Sequence, residues 1–480
     1  MEKVKETNTL AEKELQKCLT GIQGLDEITF GGLPKGRPIL ICGNAGCGKT
    51  LLSMEFLVRG ATLYNEPGVY FSFEESDNDL ITNFASLGFD LADLIKRNKL
   101  LLEYIYIERS EIEETGEYDL DGLFLRLESA IDSIGAKRVV LDTLEALFSG
   151  FANESILRAE LRRLFRWLKE KGVTAIITGE RGERMVTKYG LEEYVADCVI
   201  MLDHRVNDQV STRRLKIIKY RGSKHGANEF PFLISDTGIS VLPITSIGLD
   251  YEVTTERIST GIAGMDEMFG NQGYYKCSSV LISGTAGTGK SSIAAHFVDS
   301  SCSKGMKCLY FAFEESQSQI IRNMKNIGID LNKWVEKGLL EFSANRPTHY
   351  GIEMHLVNIH NEISAFKPDS VIIDSVTNLM GSGAILDVKA MLTRLLDHMK
   401  MQKVTAFMTD LANDLTFNHS EVGISSLIDT WIKLENLEKD HELLRKISVI
   451  KSRGMKHSNS ITEFEISDKG VKLLKDNSTK

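Results

Sequence analysis

The sequence predicts an α/β protein in which one domain, a mostly parallel sheet flanked by helices, occurs twice in tandem. Three observations predict it. A glycine-rich octapeptide stands between an apolar run and a helical stretch at Gly43–Thr50, and again at Gly284–Ser291. Further signatures return in the same order at an offset near 230–240 residues. Short, continuously apolar runs alternate with longer stretches of helical spacing in each half, the pattern of parallel strands buried on both faces.

The octapeptides, Gly43-Asn44-Ala45-Gly46-Cys47-Gly48-Lys49-Thr50 and Gly284-Thr285-Ala286-Gly287-Thr288-Gly289-Lys290-Ser291, both fit G-x-x-x-x-G-K-[ST], the phosphate-binding P-loop. Glycines let backbone N–H groups turn inward and approach phosphate oxygens without a Cβ in the way. The helix that follows points its positive end at the anion. Lys49 and Lys290 are placed to reach the β- and γ-phosphates, and Thr50 and Ser291 to offer a hydroxyl to Mg²⁺. One accidental match in a chain of this length has a probability of about 0.02 from average residue frequencies. A second match in the same setting lies well below that.

The strand candidates of the first half are Ile39–Cys42, Val69–Phe73, Arg138–Leu141, Thr174–Thr178 and Val199–Leu202. Between the third and fourth lies a helix in which Ile156, Leu157, Leu161, Leu164, Phe165 and Leu168 recur at helical spacing with Arg and Glu between them, a packing helix. The repetition reads as a duplicated domain. Thr20-Gly21-Ile22 returns as Thr260-Gly261-Ile262, Phe73-Glu74-Glu75-Ser76 as Phe313-Glu314-Glu315-Ser316, and Val139-Val140-Leu141-Asp142 as Val371-Ile372-Ile373-Asp374. Val173-Thr174-Ala175 returns as Val404-Thr405-Ala406, and Lys219, Arg221 and Gly222 as Lys451, Arg453 and Gly454. The expected division is an N-terminal segment 1–17, a first domain 18–247, a second domain 248–470 and a short polar tail 471–480.

Ligands of such sheets bind beyond the carboxyl ends of the strands. The Glu pairs end the second strand of each half, and because side chains alternate along a strand, one Glu of each pair is aimed at the site. A carboxylate beside a γ-phosphate orients and deprotonates an attacking water or hydroxyl, which makes Glu74, Glu75, Glu314 and Glu315 the candidate bases. Without the repetition they would read as an ordinary acidic strand exit. Asp142 and Asp374 close apolar strands and fit the Walker B aspartate that holds Mg²⁺ through water. Lys219 and Arg221, with Lys451 and Arg453, read either as a solvated basic strand or as cations for a nucleotide phosphate, including one on a neighbouring subunit. The halves differ at one informative place. Glu192, Glu193 and Tyr194 stand opposite Ile424, Ser425 and Ser426, so only the second half carries a serine pair there. Such serines are either turn residues or, facing a γ-phosphate, phosphoryl acceptors.

Composition bounds the rest. At 480 residues, 42% hydrophobic and 26% charged, the chain is of a size and balance for two or three soluble domains. It has 57 basic and 67 acidic residues, a formal charge of −10, which argues against nucleic-acid binding as its main business. No run of 18 apolar residues marks a membrane span, and residues 1–14 lack the apolar core of a signal peptide, so a cytoplasmic protein is expected. The seven cysteines form no C-x-x-C, which reads as reduced usage without a disulfide frame or zinc site. Cys47, inside a P-loop, reads as a small loop residue in preference to an oxidation site.

With these residues assembled, the chain resembles the KaiC family of bacterial and archaeal clock ATPases and autokinases, from about Thr20 to Leu474. The carriers are the doubled P-loops, the doubled Phe-Glu-Glu, and Tyr189-Gly190 with Glu192-Glu193. Lys219-x-Arg221-Gly222 with His225, Phe230-Pro231-Phe232 and Ile466-Ser467-Asp468-Lys469-Gly470 complete them. The resemblance implies two RecA-like domains in a homo-hexameric double ring, with ATP between subunits and Mg²⁺ as its metal. It implies that Glu74 activates water in the first domain. It implies that in the second Glu314, also beside the metal, activates Ser425 or Ser426 for autophosphorylation. Nucleotide contacts carried over by motif are Gly43, Gly46, Cys47, Gly48, Lys49, Thr50, Leu51 and Ser86, with Lys219, Tyr220, Arg221, Ser223 and His225 from across the subunit interface. In the second domain they are Gly284, Thr285, Gly287, Thr288, Gly289, Lys290, Ser291 and Ser292, with Arg445, Lys451, Ser452 and Arg453 from across it. The metal set is Thr50, Asp142, Ser291, Glu314 and Asp374.

Several departures qualify what the resemblance implies. Ser426 stands where the best-known members have Thr, and the hydroxyl survives. Ser291 replaces the commoner Thr, a change without consequence for Mg²⁺ binding. Ile327 stands where the family often places an aromatic residue near the adenine. After Gly470 only Val471 to Lys480 remain, so the longer tail through which a KaiA-type partner acts is not expected, whereas a KaiB-type partner is. Two alternatives stay open beside the autokinase. One is a signalling ATPase with structural serines; the other is a DNA recombinase or helicase, which the acidic charge disfavours.

Overall fold

The computed structural model describes residues 15–105, 121–143, 145–146, 154–182, 195–207, 210–235, 237–243, 253–346, 351–382, 385–412, 424, 426–439 and 441–474. The chain divides into two compact units, residues 1–246 and 247–480. Each is built on a nine-stranded sheet.

In the first unit the elements that place the site are β1 (Pro38–Gly43), α1 (Lys49–Leu63), β2 (Gly68–Ser72), α2 (Asp77–Ala85), β3 (Leu100–Tyr104), β4 (Arg138–Asp142), α3 (Glu154–Glu170) and β5 (Thr174–Glu180). They are followed by β6 (Cys198–Asn207), β7 (Val210–Tyr220), β8 (Glu229–Ser235) and β9 (Gly238–Val241). The strand order is β3-β2-β4-β5-β1-β6-β7-β8-β9. The first six run parallel, and β7, β8 and β9 are added as antiparallel hairpins.

The second unit repeats this order. Its elements are β10 (Ser279–Gly284), α4 (Lys290–Ser303), β11 (Cys308–Ala312), α5 (Gln317–Asn326), β12 (Leu340–Ala344), α6 (Ile352–Phe366), β13 (Ser370–Asp374), α7 (Ile385–Met401) and β14 (Thr405–Leu411). Then come β15 (Thr430–Lys439), β16 (Glu442–Ser452), β17 (Thr462–Ser467) and β18 (Gly470–Leu473). The order is β12-β11-β13-β14-β10-β15-β16-β17-β18.

The continuous apolar character of the strands follows from burial on both faces. Along β1, Ile39 and Ile41 join the core under α1, while Leu40 and Cys42 join the core on the opposite face with Leu157, Leu161, Leu164, Phe165 and Leu168 of α3. Burying each of those five α3 side chains contributes about 2 kcal/mol before ordering costs. Ile156, expected on the same stripe, is half-exposed, because its position on the turn lies off the line joining Leu157, Leu161 and Leu164.

One boundary differs from expectation in a way that matters. The second strand stops at Ser72, two residues before the Glu pair, and its counterpart stops at Ala312. Phe73 N–H still bonds Asp142 O, but Ser72 Oγ then bonds the backbone of Glu75 and bends the chain away. Strand alternation therefore does not aim the Glu pair; a turn does. Among the described residues no helix is long and apolar enough to cross a membrane, and the seven cysteines are free thiols.

Candidate functional site

The central strand of each unit delivers its P-loop at its carboxyl end, between two parallel neighbours. The loops turn through left-handed glycines, Gly46 at φ 72° and Gly48 at φ 103°, Gly287 at φ 76° and Gly289 at φ 97°. A Cβ at Gly46 or Gly287 would meet nothing within 4 Å, so both face an open cradle. Gly48 and Gly289 instead pack on Ile234 and Ile466. No side chain caps α1 or α4, which leaves their first N–H groups directed at the cradle. Lys49 Nζ donates to Gly43 O at 2.9 Å and Asn44 O at 3.1 Å; Lys290 Nζ donates to Gly284 O at 2.7 Å and Thr285 O at 2.8 Å. Burial holds the Lys290 ammonium below its usual range, against the charges of Asp374, Glu314 and Asp410, which raise it.

Cys47 and its counterpart Thr288 are fully buried. The Cys47 side chain joins the core, where burial pushes its thiol up, while Thr288 Oγ1 donates to Thr285 O within the loop at 2.8 Å. Leu51 is likewise a core residue. Around the second loop lies a cavity of about 390 Å³, lined by Gly287, Lys290, Ser291, Ser292, Glu314 and Asp374 among others.

The strand-end aspartates sit beside these loops. Asp142 Oδ2 accepts from Thr50 Oγ1 at 2.8 Å and Tyr70 Oη at 2.5 Å, and Oδ1 accepts from Thr178. Asp374 Oδ2 accepts from Tyr310 Oη at 2.7 Å and Oδ1 from Thr409. A hydroxyl and a carboxylate side by side are hard oxygen donors that fit Mg²⁺ carried on a nucleotide.

The two members of each Glu pair face different partners. Glu74 Oε1 accepts from Thr143 Oγ1 at 3.1 Å, next to Asp142, and Glu314 Oε1 accepts from Asn378 Nδ2 at 2.8 Å. Glu75 and Glu315 turn the other way and accept from Asn83 and Asn323 of the following helices. Thr143 and Asn378 escaped the sequence reading, because neither belongs to a motif and Asn378 has alanine, Ala146, at its counterpart. Ser86 stands at the far end of α2 with its hydroxyl on Asn83 O, a helix length from the Glu pair.

The basic residues lie at the opposite edge. Lys219 pairs with Val199 and Tyr220 with Cys198, which is level with Ile39 at the start of β1, whereas the P-loop begins at Gly43. Lys451 and Ser452 pair with Trp431 and Thr430, at the start of β10. Four residues of strand separate the two edges by about 13 Å. Arg221 and Arg453 continue from there, their N–H groups on Asp197 O and Asp429 O. Tyr220 Oη donates to Gly32 O at 2.7 Å, Ser223 Oγ accepts from Lys17 at 2.7 Å, and His225 bonds Gly226 O at 3.0 Å. Burial, then the charges of Arg453 and Lys400, keep the Lys451 ammonium below its usual range despite Asp429.

Ser426 is exposed at this same edge, and its carbonyl accepts from Arg453 Nη2 at 2.6 Å. Ser425 lies outside the described residues, as do Tyr189, Gly190, Glu192, Glu193 and Tyr194. Arg445 departs from the group. It pairs with Asn436, two residues past the level of Gly284, about 20 Å along the strand from Lys451. One phosphate cannot meet both. Its first-half counterpart, Arg213, pairs with His204 and was missed from sequence.

A central parallel strand ending in a P-loop, an acid at the end of the next strand but one and a Glu just beyond the strand after that define each unit as a RecA-like P-loop ATPase domain. The model of the KaiC ATPase family matches the chain twice, over residues 18–246 and 258–478. The chain is 55% identical over 471 residues to the circadian clock protein KaiC2 of Synechocystis sp., covering 98% of this chain and 83% of that protein. It is 36% identical over 467 residues to the circadian clock oscillator protein KaiC of Synechococcus elongatus, covering 96% and 90%. It is 35% identical over 464 residues to that of Prochlorococcus marinus, covering 96% and 93%. The chain belongs to the KaiC family of ATPases.

Proposed function

We propose that this protein hydrolyses ATP in its first unit and phosphorylates its own serines in its second, working as a homo-hexameric ring in the cytoplasm. The observation that carries the autokinase reading is the separation of the two edges. Lys290 and Glu314 occupy the carboxyl edge of the sheet, while Ser426, Lys451 and Arg453 occupy the amino edge. A subunit cannot bring its own serine to its own P-loop, so the transfer runs between neighbours.

Glu314 of one subunit takes the proton of a neighbour's Ser426 or Ser425 hydroxyl. The freed Oγ attacks the γ-phosphorus, the bond from that phosphorus to the β–γ bridging oxygen breaks, and ADP leaves. Lys451 and Arg453 of the acceptor subunit, with Lys290 of the donor, balance charge on the transferring group. In the first unit Glu74 does the same for water, with Lys219, Arg221 and His225 completing the site from the next subunit. Ser223 and Ser452 adjoin these residues, Tyr220 supports them from the interior through Gly32 O, and Arg445 would meet the neighbouring subunit at a separate place, about 20 Å along the strand. Mg²⁺ would be held at Thr50 and Asp142, and at Ser291, Asp374 and Glu314, where it supplies charge neutralisation. The relatives' names, which describe circadian clock proteins, support timing as the cellular role, and the family resemblance implies a KaiB-type partner.

Subunit mixing tests this. Lys290→Ala subunits, which keep their serines, are combined with Ser425→Ala/Ser426→Ala subunits, which keep their P-loops, and incubated with Mg-ATP. Intact mass should show phosphate on the Lys290→Ala chains in the mixture and none on either protein alone. Unmodified chains in the mixture, with wild type also unmodified, would refute the autokinase.

A further inference from the structure

We propose that Tyr70 and Tyr310 are positioning residues for the metal-bound nucleotide, each fixing the strand-end aspartate of its unit as a ligand of stated orientation. The inference rests on the nucleotide reading of the two sites and adds to it a pair of residues outside every motif.

The geometry is the same in both units. Tyr70 pairs in register with Val140, two residues before Asp142, and Tyr310 pairs with Ile372, two before Asp374. Residues two apart on a strand share a face and lie about 6.6 Å apart. A phenol spans that distance, and its oxygen reaches the carboxylate from below, at 2.5 Å in one unit and 2.7 Å in the other. Shorter hydroxylic side chains could not. On the other side, Thr178 and Thr409 donate to the second carboxylate oxygen. The aspartate is thus gripped at both oxygens by neutral donors from two adjacent strands.

Both tyrosines are almost completely buried. The hydroxyl of a buried tyrosine usually finds a hydrogen-bond partner, and packing alone would be served by phenylalanine. Here the partner is the strand-end carboxylate that Thr50 Oγ1 bonds in the first unit and that lines one cavity with Ser291 in the second. Groups that hydrogen-bond a metal-ligating carboxylate fix its direction, and their loss costs metal affinity about 10- to 100-fold.

The test uses the full-length protein with Tyr70→Phe and Tyr310→Phe, Mn²⁺ as the probe and a non-hydrolysable ATP analogue. Free Mn²⁺ is followed by electron paramagnetic resonance, and analogue binding by calorimetry in Mn²⁺ and in EDTA. Wild type should hold two Mn²⁺ per chain. Each variant should weaken one of them about tenfold or more, leave the other unchanged, and leave analogue affinity in EDTA within about twofold of wild type. Unchanged Mn²⁺ affinity at both sites, or a loss equally large in EDTA, would overturn the inference. If a Phe variant does not fold, Thr178→Val or Thr409→Val removes the opposite donor and carries the same expectation and the same refutation. Wild type that takes up no Mn²⁺ with the analogue would instead refute the nucleotide reading itself.

Discussion

Acid should loosen the second unit through a buried histidine pair. His360 of α6 and His398 of α7 stack with ring centroids 4.2 Å apart, and both have a buried ring nitrogen without a hydrogen-bond partner. Burial, and then the neighbouring His360, lowers His398 from 6.5 to about 4, and burial lowers His360 as well. The unfolded chain protonates near 6.5 and the folded one only near 4, so between these values the unfolded state binds more protons. Stability is therefore whole above pH 6.5 and is lost as pH falls toward 4. One pKa unit is 1.36 kcal/mol, so His398 alone removes about 2 kcal/mol at pH 5 and about 3 kcal/mol at pH 4.

His398→Phe keeps a ring on His360 and removes the titration. At pH 7 it should lie within about 1.5 kcal/mol of wild type. Hydrogen exchange of α6 and α7 peptides, corrected for intrinsic rates, would be compared at pH 7, 6 and 5. Wild type should lose protection on acidification and the variant should lose about 2 kcal/mol less by pH 5. Equal losses in the two proteins would refute the reasoning, since carboxylates elsewhere contribute the same to both.

Glu74→Gln should abolish most steady-state hydrolysis and leave phosphoserine formation, while Glu314→Gln should do the reverse, each by roughly 10²- to 10⁴-fold. Phosphate release and intact mass, measured on both variants, separate the two. Gly289→Ala places a Cβ 2.7 Å from Ile466 at φ 97°, so nucleotide binding by the second unit should fall at least tenfold in calorimetry while the first unit keeps its own. Arg138 is buried and donates to Glu66, Phe56 O and Leu19 O at 2.7–2.8 Å. Arg138→Met would leave those acceptors stranded and should destabilise the first unit by about 3–5 kcal/mol in urea unfolding. Lys49→Ala should weaken ring assembly, because nucleotide bridges the subunits; size-exclusion profiles with and without ATP check it.

How much of this was legible in the sequence depends on range. The P-loops were, because their chemistry is local: eight consecutive residues carry the glycines, the lysine and the hydroxyl, and the strand and helix on either side follow from apolar spacing. Asp142 and Asp374 were legible for the same reason, each closing its own strand. The Glu pair was half legible. That the two side chains of a pair part was expected from strand alternation, but they part at a bend just past the strand, after Ser72 in one unit and after Ala312 in the other, which strand periodicity does not contain.

The residue types and their order were determined by the chain alone, and with them the duplicated parallel fold and the presence of two phosphate loops. Which edge of the sheet each basic residue and each serine occupies was decided only in three dimensions, because strand order and register bring Lys451 and Ser426 to the start of β10 and leave Lys290 at its end. The same holds for Tyr70 on Asp142, for Asn378 on Glu314 and for His360 against His398. Each pair is made by elements distant along the chain, and the hydrogen bond or ring contact exists only once packing has excluded water from between them.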